Sequence, residues 1–84
     1  MANPIALNIN DFYKRYQANY EWLYNGGDQI SDYPSLYEEF DARIQNDANF
    51  KTFVGEFCNF IGDLIISDRE EAAFILTLYD MIDA

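Results

Sequence analysis

Carboxylates are the side chains of this sequence that could do chemistry. The 84 residues include 15 Asp and Glu, 5 Lys and Arg, a single cysteine and no histidine. Without histidine the chain lacks the commonest general base and the usual nitrogen ligand of zinc. The acidic stretches also do not follow the D-x-D/N-x-D/N-G pattern of a calcium-binding loop. We therefore expect no metal and no cofactor.

Catalysis by other routes finds little support. A carboxylate pair for glycoside hydrolysis needs a cleft that raises one pKa, and a chain of this size has room only for a modest core. Phosphate-binding, dinucleotide-binding and serine-nucleophile motifs do not occur. Cys58 falls within an apolar helical stripe, so we interpret it as a buried hydrophobic residue and not as a reactive thiol. We predict that the protein is not an enzyme.

The net charge of −10 is distributed unevenly along the chain. Two carboxylates and two cations cancel in residues 1–25, whereas 13 carboxylates face 3 cations from Gly26 onward. Such a surface repels nucleic acid and anionic membranes and attracts basic proteins over long range. We expect no direct binding to nucleic acid or membranes. The expected partner is a basic protein, either a nucleic-acid-binding protein or a nuclease.

Two surface features are candidates for contact with that partner. Acidic residues crowd the second helix and the start of the last one, where they could imitate the phosphates of nucleic acid. The alternative is a solvated face that only keeps the protein in solution. Trp22 lies opposite the apolar stripe of its helix, so it either packs under residues 1–8 or is an exposed interface anchor. The predicted partner-binding residues are Asp28, Asp32, Glu38, Glu39, Asp41, Asp47, Glu70, Glu71 and Trp22.

Small size, strong negative charge and a lack of catalytic motifs are typical of inhibitors that mimic DNA, such as phage-encoded anti-CRISPR and antirestriction proteins. An immunity protein that neutralises a basic nuclease would share these properties. We predict an acidic inhibitory or regulatory protein of this type, although no motif identifies a family. The single cysteine and the lack of a signal-peptide pattern favour the cytoplasm, or the host cytoplasm for a phage protein.

We expect amphipathic helices to position the predicted partner-binding residues. The first helix is predicted to run from a cap at Asn8 or Asn10 to about Tyr24. Its apolar face consists of Ile9, Phe12, Tyr13, Tyr16, Tyr20, Leu23 and Tyr24.

The second helix is predicted to begin near Pro34 or Ser35. Ser35 and Glu38 have the spacing of a capping box, in which each side chain accepts a backbone hydrogen bond. Glu39 and Arg43 are four residues apart, so we expect them to form an ion pair on the helix surface.

A phenylalanine-rich segment from Asn49 to Ile66 is predicted to be the third helix, with Asp47 or Asn49 as its cap. Its apolar stripe consists of Phe50, Phe53, Val54, Phe57, Cys58, Ile61, Leu64 and Ile65. Gly55 and Gly62 lie seven residues apart within this segment. They indicate either tolerated surface glycines or a groove where another backbone approaches.

The last helix is predicted to begin at a capping box of Ser67 and Glu70 and to end near Ile82. Beside its main apolar stripe runs a second row, Phe74, Leu78 and Met81. A helix that is apolar on two sides is either central in its bundle or shared with a partner. The row therefore supports an alternative function, a dimerising or hetero-oligomeric helical subunit, and a homodimer is one possible assembly.

Taken together, the periodicities predict an all-α protein. We expect a single acidic domain over residues 1–84, folded as a compact bundle of about four short amphipathic helices.

Overall fold

Four α-helices account for most of the part of the chain that the computed structural model describes, residues 8–25 and 33–82. They are α1 (Ile9–Tyr24), α2 (Tyr33–Asn46), α3 (Ala48–Ile61) and α4 (Asp68–Ile82). These two ranges contain no strand, and none of the four helices has the length and apolar character that a membrane span requires. The prediction of an all-α bundle of about four short helices is confirmed.

Helix α4 lies in the middle of the bundle, packed against α1 and α2, while α3 packs against the same two helices. Near the end of α4, Asn19 of α1 donates from Nδ2 to Thr77 Oγ1 at 3.0 Å. Near the start of α4, the Arg69 guanidinium lies 5.3 Å from the centre of the Tyr24 ring. Because these contacts run in opposite directions along the two helices, α1 and α4 are antiparallel. The first turn of α4 therefore lies beside the end of α1.

Short polar side chains begin α1 and α3. Asn8 Oδ1 accepts from the backbone N–H groups of Asn10 at 2.9 Å and Asp11 at 3.1 Å. Asp47 Oδ1 accepts from the N–H of Phe50 at 3.1 Å. Each bond satisfies a backbone donor that has no partner within its own helix, so the predicted caps at Asn8 and Asp47 are confirmed.

The capping box at the start of α4 is also confirmed. The Glu70 N–H donates to Ser67 Oγ at 3.2 Å, and the Ser67 N–H donates to Glu70 Oε1 at 3.0 Å. The corresponding prediction for Ser35 is wrong. Helix α2 begins at Tyr33, so Ser35 already lies inside the first helical turn and cannot be the capping residue.

The prediction that α3 continues to Ile66 is wrong, because the helix ends at Ile61. Gly62 adopts the left-handed conformation with φ of +72°, and its N–H donates to the Cys58 carbonyl at 2.9 Å. The N–H of Asp63 reaches the same carbonyl at 3.2 Å. Glycine accepts this conformation without steric cost, so Gly62 terminates the helix instead of marking a groove along it.

The end of α3 changes which apolar residues are buried. Leu64 and Ile66 are 62% and 74% exposed, and only Ile65 of this connection is buried. Leu64 therefore does not belong to the buried stripe in which helical spacing placed it. Tyr24, assigned to the apolar face of α1, is 65% exposed, whereas Leu23 in the same turn is buried.

The core is built around the ring of Phe74, which is fully buried. Its centre lies 4.9 to 5.8 Å from the ring centres of five other phenylalanines. These are Phe12 of α1, Phe40 of α2, and Phe50, Phe53 and Phe57 of α3. One side chain of α4 thus contacts aromatic residues of all three other helices.

The second apolar row of α4 is therefore part of the core. Phe74 is 0% exposed, Leu78 is 2% exposed and Met81 is partly buried against the same cluster. In this conformation Phe74 and Leu78 offer almost no surface to a second chain, which favours the first of the two interpretations, a helix central in its bundle, while assembly through the row stays a prediction. The physical reason is the central position of α4, which gives the helix apolar neighbours on two sides.

Truncation of the central ring should destabilise the fold strongly. We expect Phe74→Ala to lower the free energy of unfolding by about 3–5 kcal/mol, because it leaves a cavity at the meeting point of four helices. The matched control is Phe60→Ala in α3, where the side chain is 44% exposed and the expected cost is below about 1 kcal/mol. Urea denaturation followed by circular dichroism measures both, and equal costs would contradict the central role of Phe74.

The two glycines of the third predicted helix should respond in opposite ways. Gly55 is exposed inside α3 and has open space where a Cβ would project, so Gly55→Ala should stabilise by about 0.5–1 kcal/mol. Gly62→Ala places a side chain at φ of +72° and should destabilise by about 1–2 kcal/mol. Thermal unfolding of the two variants measures the difference, and a shift of the same sign in both would show that the helix end is assigned wrongly.

Candidate partner-binding surface

An acidic cluster lies where α2 meets the first turn of α4. It consists of Asp41 of α2 and of Asp68, Glu70 and Glu71 of α4. The negative charges of the other three raise the pKa of Glu71. Burial and the charge of Asp41 are the largest causes that raise the pKa of Glu71, from 4.5 to about 7. A side-chain hydrogen bond between Asp41 and Glu71 adds to the shift, because a protonated Glu71 can donate to a carboxylate. The fold thus holds like charges close together.

The start of α4 explains how these carboxylates are fixed in place. Glu70 Oε1 accepts from the Ser67 N–H, from Ser67 Oγ at 2.9 Å and from the Ile66 N–H at 3.3 Å. These bonds anchor the first helical turn, where negative charge also interacts favourably with the helix dipole. Glu71 follows directly and is turned by about 100° around the helix axis from Glu70. The two glutamates therefore face different neighbours.

Like Glu70, the predicted partner-binding residues Glu39 and Asp47 have intramolecular roles. Glu39 lies 2.6 Å from the guanidinium of Arg43, which confirms the predicted ion pair, and it also accepts a hydrogen bond from the Tyr79 hydroxyl of α4. Asp47 caps α3. Both groups still contribute negative charge, but their hydrogen-bonding geometry is set by the fold.

Other predicted residues lie on the open surface. Glu38 and Asp41 are exposed on α2, and Trp22 is 52% exposed on α1. Asp28 and Asp32 lie outside the described residues. Of the nine predicted partner-binding residues, the cluster described above unites Asp41, Glu70 and Glu71, while Trp22 belongs to α1.

A groove of about 320 Å³ between α1 and the α3–α4 connection was missed by the sequence interpretation. It is lined by Tyr13, Tyr16, Gln17, Tyr20, Glu21, Ile61, Asp63 and Glu70. The predicted place of these tyrosines on the apolar face of α1 is nevertheless confirmed, because Tyr16 is buried and Tyr13 and Tyr20 pack, partly buried, against the core. Their hydroxyl groups were the signal that one edge of this face meets solvent, because tyrosine combines an apolar ring with a polar end.

Within residues 8–25 and 33–82, no group of three or more acidic or cysteine side chains is placed to hold a metal ion. Cys58 is partly buried and packs against the hydrophobic cluster. What the arrangement can do chemically is present concentrated negative charge beside aromatic rings.

Comparisons with known proteins do not assign the chain to a family. No protein-family model, curated protein or solved structure matches it. A function must therefore be inferred from the surface of this acidic four-helix bundle.

Replacing Glu71 by glutamine tests the electrostatic crowding. The pKa of about 7 lies above the ordinary 4.5, so the folded protein holds a proton that the unfolded chain releases between these pH values. Wild-type stability therefore falls as the pH rises through this window. We expect Glu71→Gln to be more stable than the wild type by about 1 kcal/mol at about pH 8, after allowance for solvent screening, and to match it near about pH 4.

Thermal unfolding at both pH values measures this difference. Glu38→Gln, which removes one exposed carboxylate from α2, is the matched control for the loss of a single negative charge. The same pH-dependent gain in both variants would show a general effect of net charge and would contradict crowding at Glu71.

Proposed function

We propose that this protein is an acidic inhibitory or regulatory protein that binds a nucleic-acid-handling protein through its carboxylate-rich surface. The supporting observation is the cluster at the start of α4, where crowding and burial raise the pKa of Glu71 to about 7. Strongly perturbed pKa values cluster at functional sites, where burial and like charges are held together.

The rest of the charge distribution fits the same partner. The chain carries a net charge of −10, so it should attract a basic surface from a distance and accelerate association. Exposed carboxylates such as Glu38 and Asp41 would then take the places of phosphate groups in a basic groove. The exposed Trp22 ring supplies the kind of aromatic anchor that slows dissociation.

DNA mimicry of the anti-CRISPR or antirestriction type is the specific form of this proposal. It is supported by small size, net charge and the concentration of carboxylates on α2 and α4. A phage origin and action in the host cytoplasm belong to the same proposal, and a single cysteine is in keeping with a reducing compartment. An immunity protein against a basic nuclease would use the same surface.

Affinity capture with stepwise elution tests the class of partner. The immobilised protein is exposed to a lysate, eluted at rising salt concentrations, and the eluted proteins are identified by mass spectrometry. We expect a basic nucleic-acid-binding protein or nuclease that elutes at moderate salt and is displaced by added DNA or RNA. A partner that resists both salt and nucleic acid would overturn the proposal, because charge-based mimicry must be screened and competed.

Charge reversal tests the surface itself once the partner is in hand. Asp41→Lys introduces a cation into the α2–α4 cluster and should weaken binding at least about tenfold, because it sets like charges against each other in the complex. Glu56→Lys makes the same change in net charge at an exposed position of α3 and should have a much smaller effect. Isothermal titration calorimetry measures both affinities, and circular dichroism verifies that helicity is retained. Equal losses would favour nonspecific attraction over a defined surface.

A further inference from the structure

The tyrosine-lined groove beside α1 has a composition suited to a cation. Three tyrosines and three carboxylates line its volume of about 320 Å³, and its lining includes no lysine or arginine. It lies on the α1 side of the first turn of α4, whereas the acidic cluster with Asp41 lies on the α2 side. Glu70 belongs to the groove and Glu71 to the contact with Asp41.

The aromatic wall is a stack of tyrosines at every fourth position of α1. The ring centres of Tyr16 and Tyr20 are 6.4 Å apart at an angle of 27°, and those of Tyr20 and Tyr24 are 6.3 Å apart at 16°. The rings of this row are therefore near-parallel, and the negative face of an aromatic ring attracts cations.

One end of this stack already holds a guanidinium group. The Arg69 side chain lies over the face of Tyr24 at 5.3 Å from the ring centre. This contact is the geometry expected of a cation–π interaction. It is an example, within the chain itself, of a guanidinium group packed against a tyrosine of α1.

The carboxylates of the groove differ in the hydrogen bonds that they accept within the protein. Asp63 Oδ1 accepts from the Leu64 N–H at 2.8 Å, and Glu70 Oε1 is held by the capping box. Glu21 is exposed on α1 at the rim of the groove, one residue after Tyr20. It is therefore placed to pair with an incoming cation without loss of a cap or turn.

We propose that this groove binds an arginine side chain of a basic protein partner, with the guanidinium against Tyr20 and in an ion pair with Glu21. The inference rests on the proposed function, because it names the partner side chain that one part of the acidic surface accepts. Arginine fits better than lysine, since its planar guanidinium stacks on aromatic faces and pairs with carboxylates through two hydrogen bonds.

Two peptides of equal charge test the proposal directly. The probes are the acetylated and amidated pentapeptides Gly-Arg-Gly-Arg-Gly and Gly-Lys-Gly-Lys-Gly, titrated into the ¹⁵N-labelled protein and followed by amide chemical shifts. We expect shifts centred on Tyr20, Glu21 and Asp63, with affinity about two- to fivefold higher for the arginine peptide. Tyr20→Leu should abolish this preference.

Two variants that lose the same charge distinguish binding in the groove from general electrostatic attraction of the peptide. Glu21→Gln should weaken the arginine peptide about two- to fivefold, whereas Glu38→Gln removes an equal charge outside the groove and should have a smaller effect. Both positions are exposed, so the folded state should persist, and far-UV circular dichroism verifies this. The absence of an arginine preference, or equal effects of the two glutamine variants, would overturn the proposal that the groove binds arginine.

Failure of the groove and failure of the proposed function give different results. If the groove does not bind arginine but the proposed function is correct, Asp41→Lys still weakens binding of the captured basic partner, and Tyr20→Leu leaves that binding unchanged. If the groove binds arginine but the proposed function is wrong, affinity capture yields no partner that nucleic acid displaces. The preference for the arginine peptide and its dependence on Tyr20 then remain.

Discussion

The contact of one ring with three helices is the interaction on which the rest of this structure depends. Phe74 of α4 touches phenylalanines from α1, α2 and α3 at ring-centre distances of 4.9 to 5.8 Å. Tilted and edge-on aromatic pairs each add about 0.5–1.5 kcal/mol beyond the burial of their area. A fold of this size has few other sources of stability, so this cluster fixes α4 in the centre and sets the positions of its neighbours.

The central position of α4 also decides where negative charge gathers. Its first turn contains three carboxylates and lies between the end of α1 and the middle of α2. Glu71 meets Asp41 on one side, and Glu70 borders the tyrosine groove on the other. Repulsion among these groups opposes folding, and the aromatic core offsets it. The stability of the core and the electrostatic character of the surface are therefore coupled through a single helix.

The carboxylates of this protein fall into two groups with different constraints. Glu39, Asp47 and Glu70 are held by an ion pair or by backbone donors, and their geometry follows from the fold. The second group includes Glu38, which is exposed on α2 and is less constrained by the fold. A count of charges treats both groups alike. Contact with the proposed partner would depend more on the second group, because hydrogen bonds and ion pairs within the bundle already fix the first group.

Several local interactions were determined by the sequence alone, whereas the way in which the helices pack was decided only by the tertiary structure. The caps at Asn8 and Ser67 were predictable, because each involves groups within three residues along the chain. Periodicity also predicted the number and type of helices. It could not show that Gly62 ends α3, since glycine is compatible with both a helix interior and a left-handed cap. Nor could it place Phe74 in the core or Glu71 beside Asp41, because helical spacing assigns a face to a residue, and only packing between distant segments decides what that face meets.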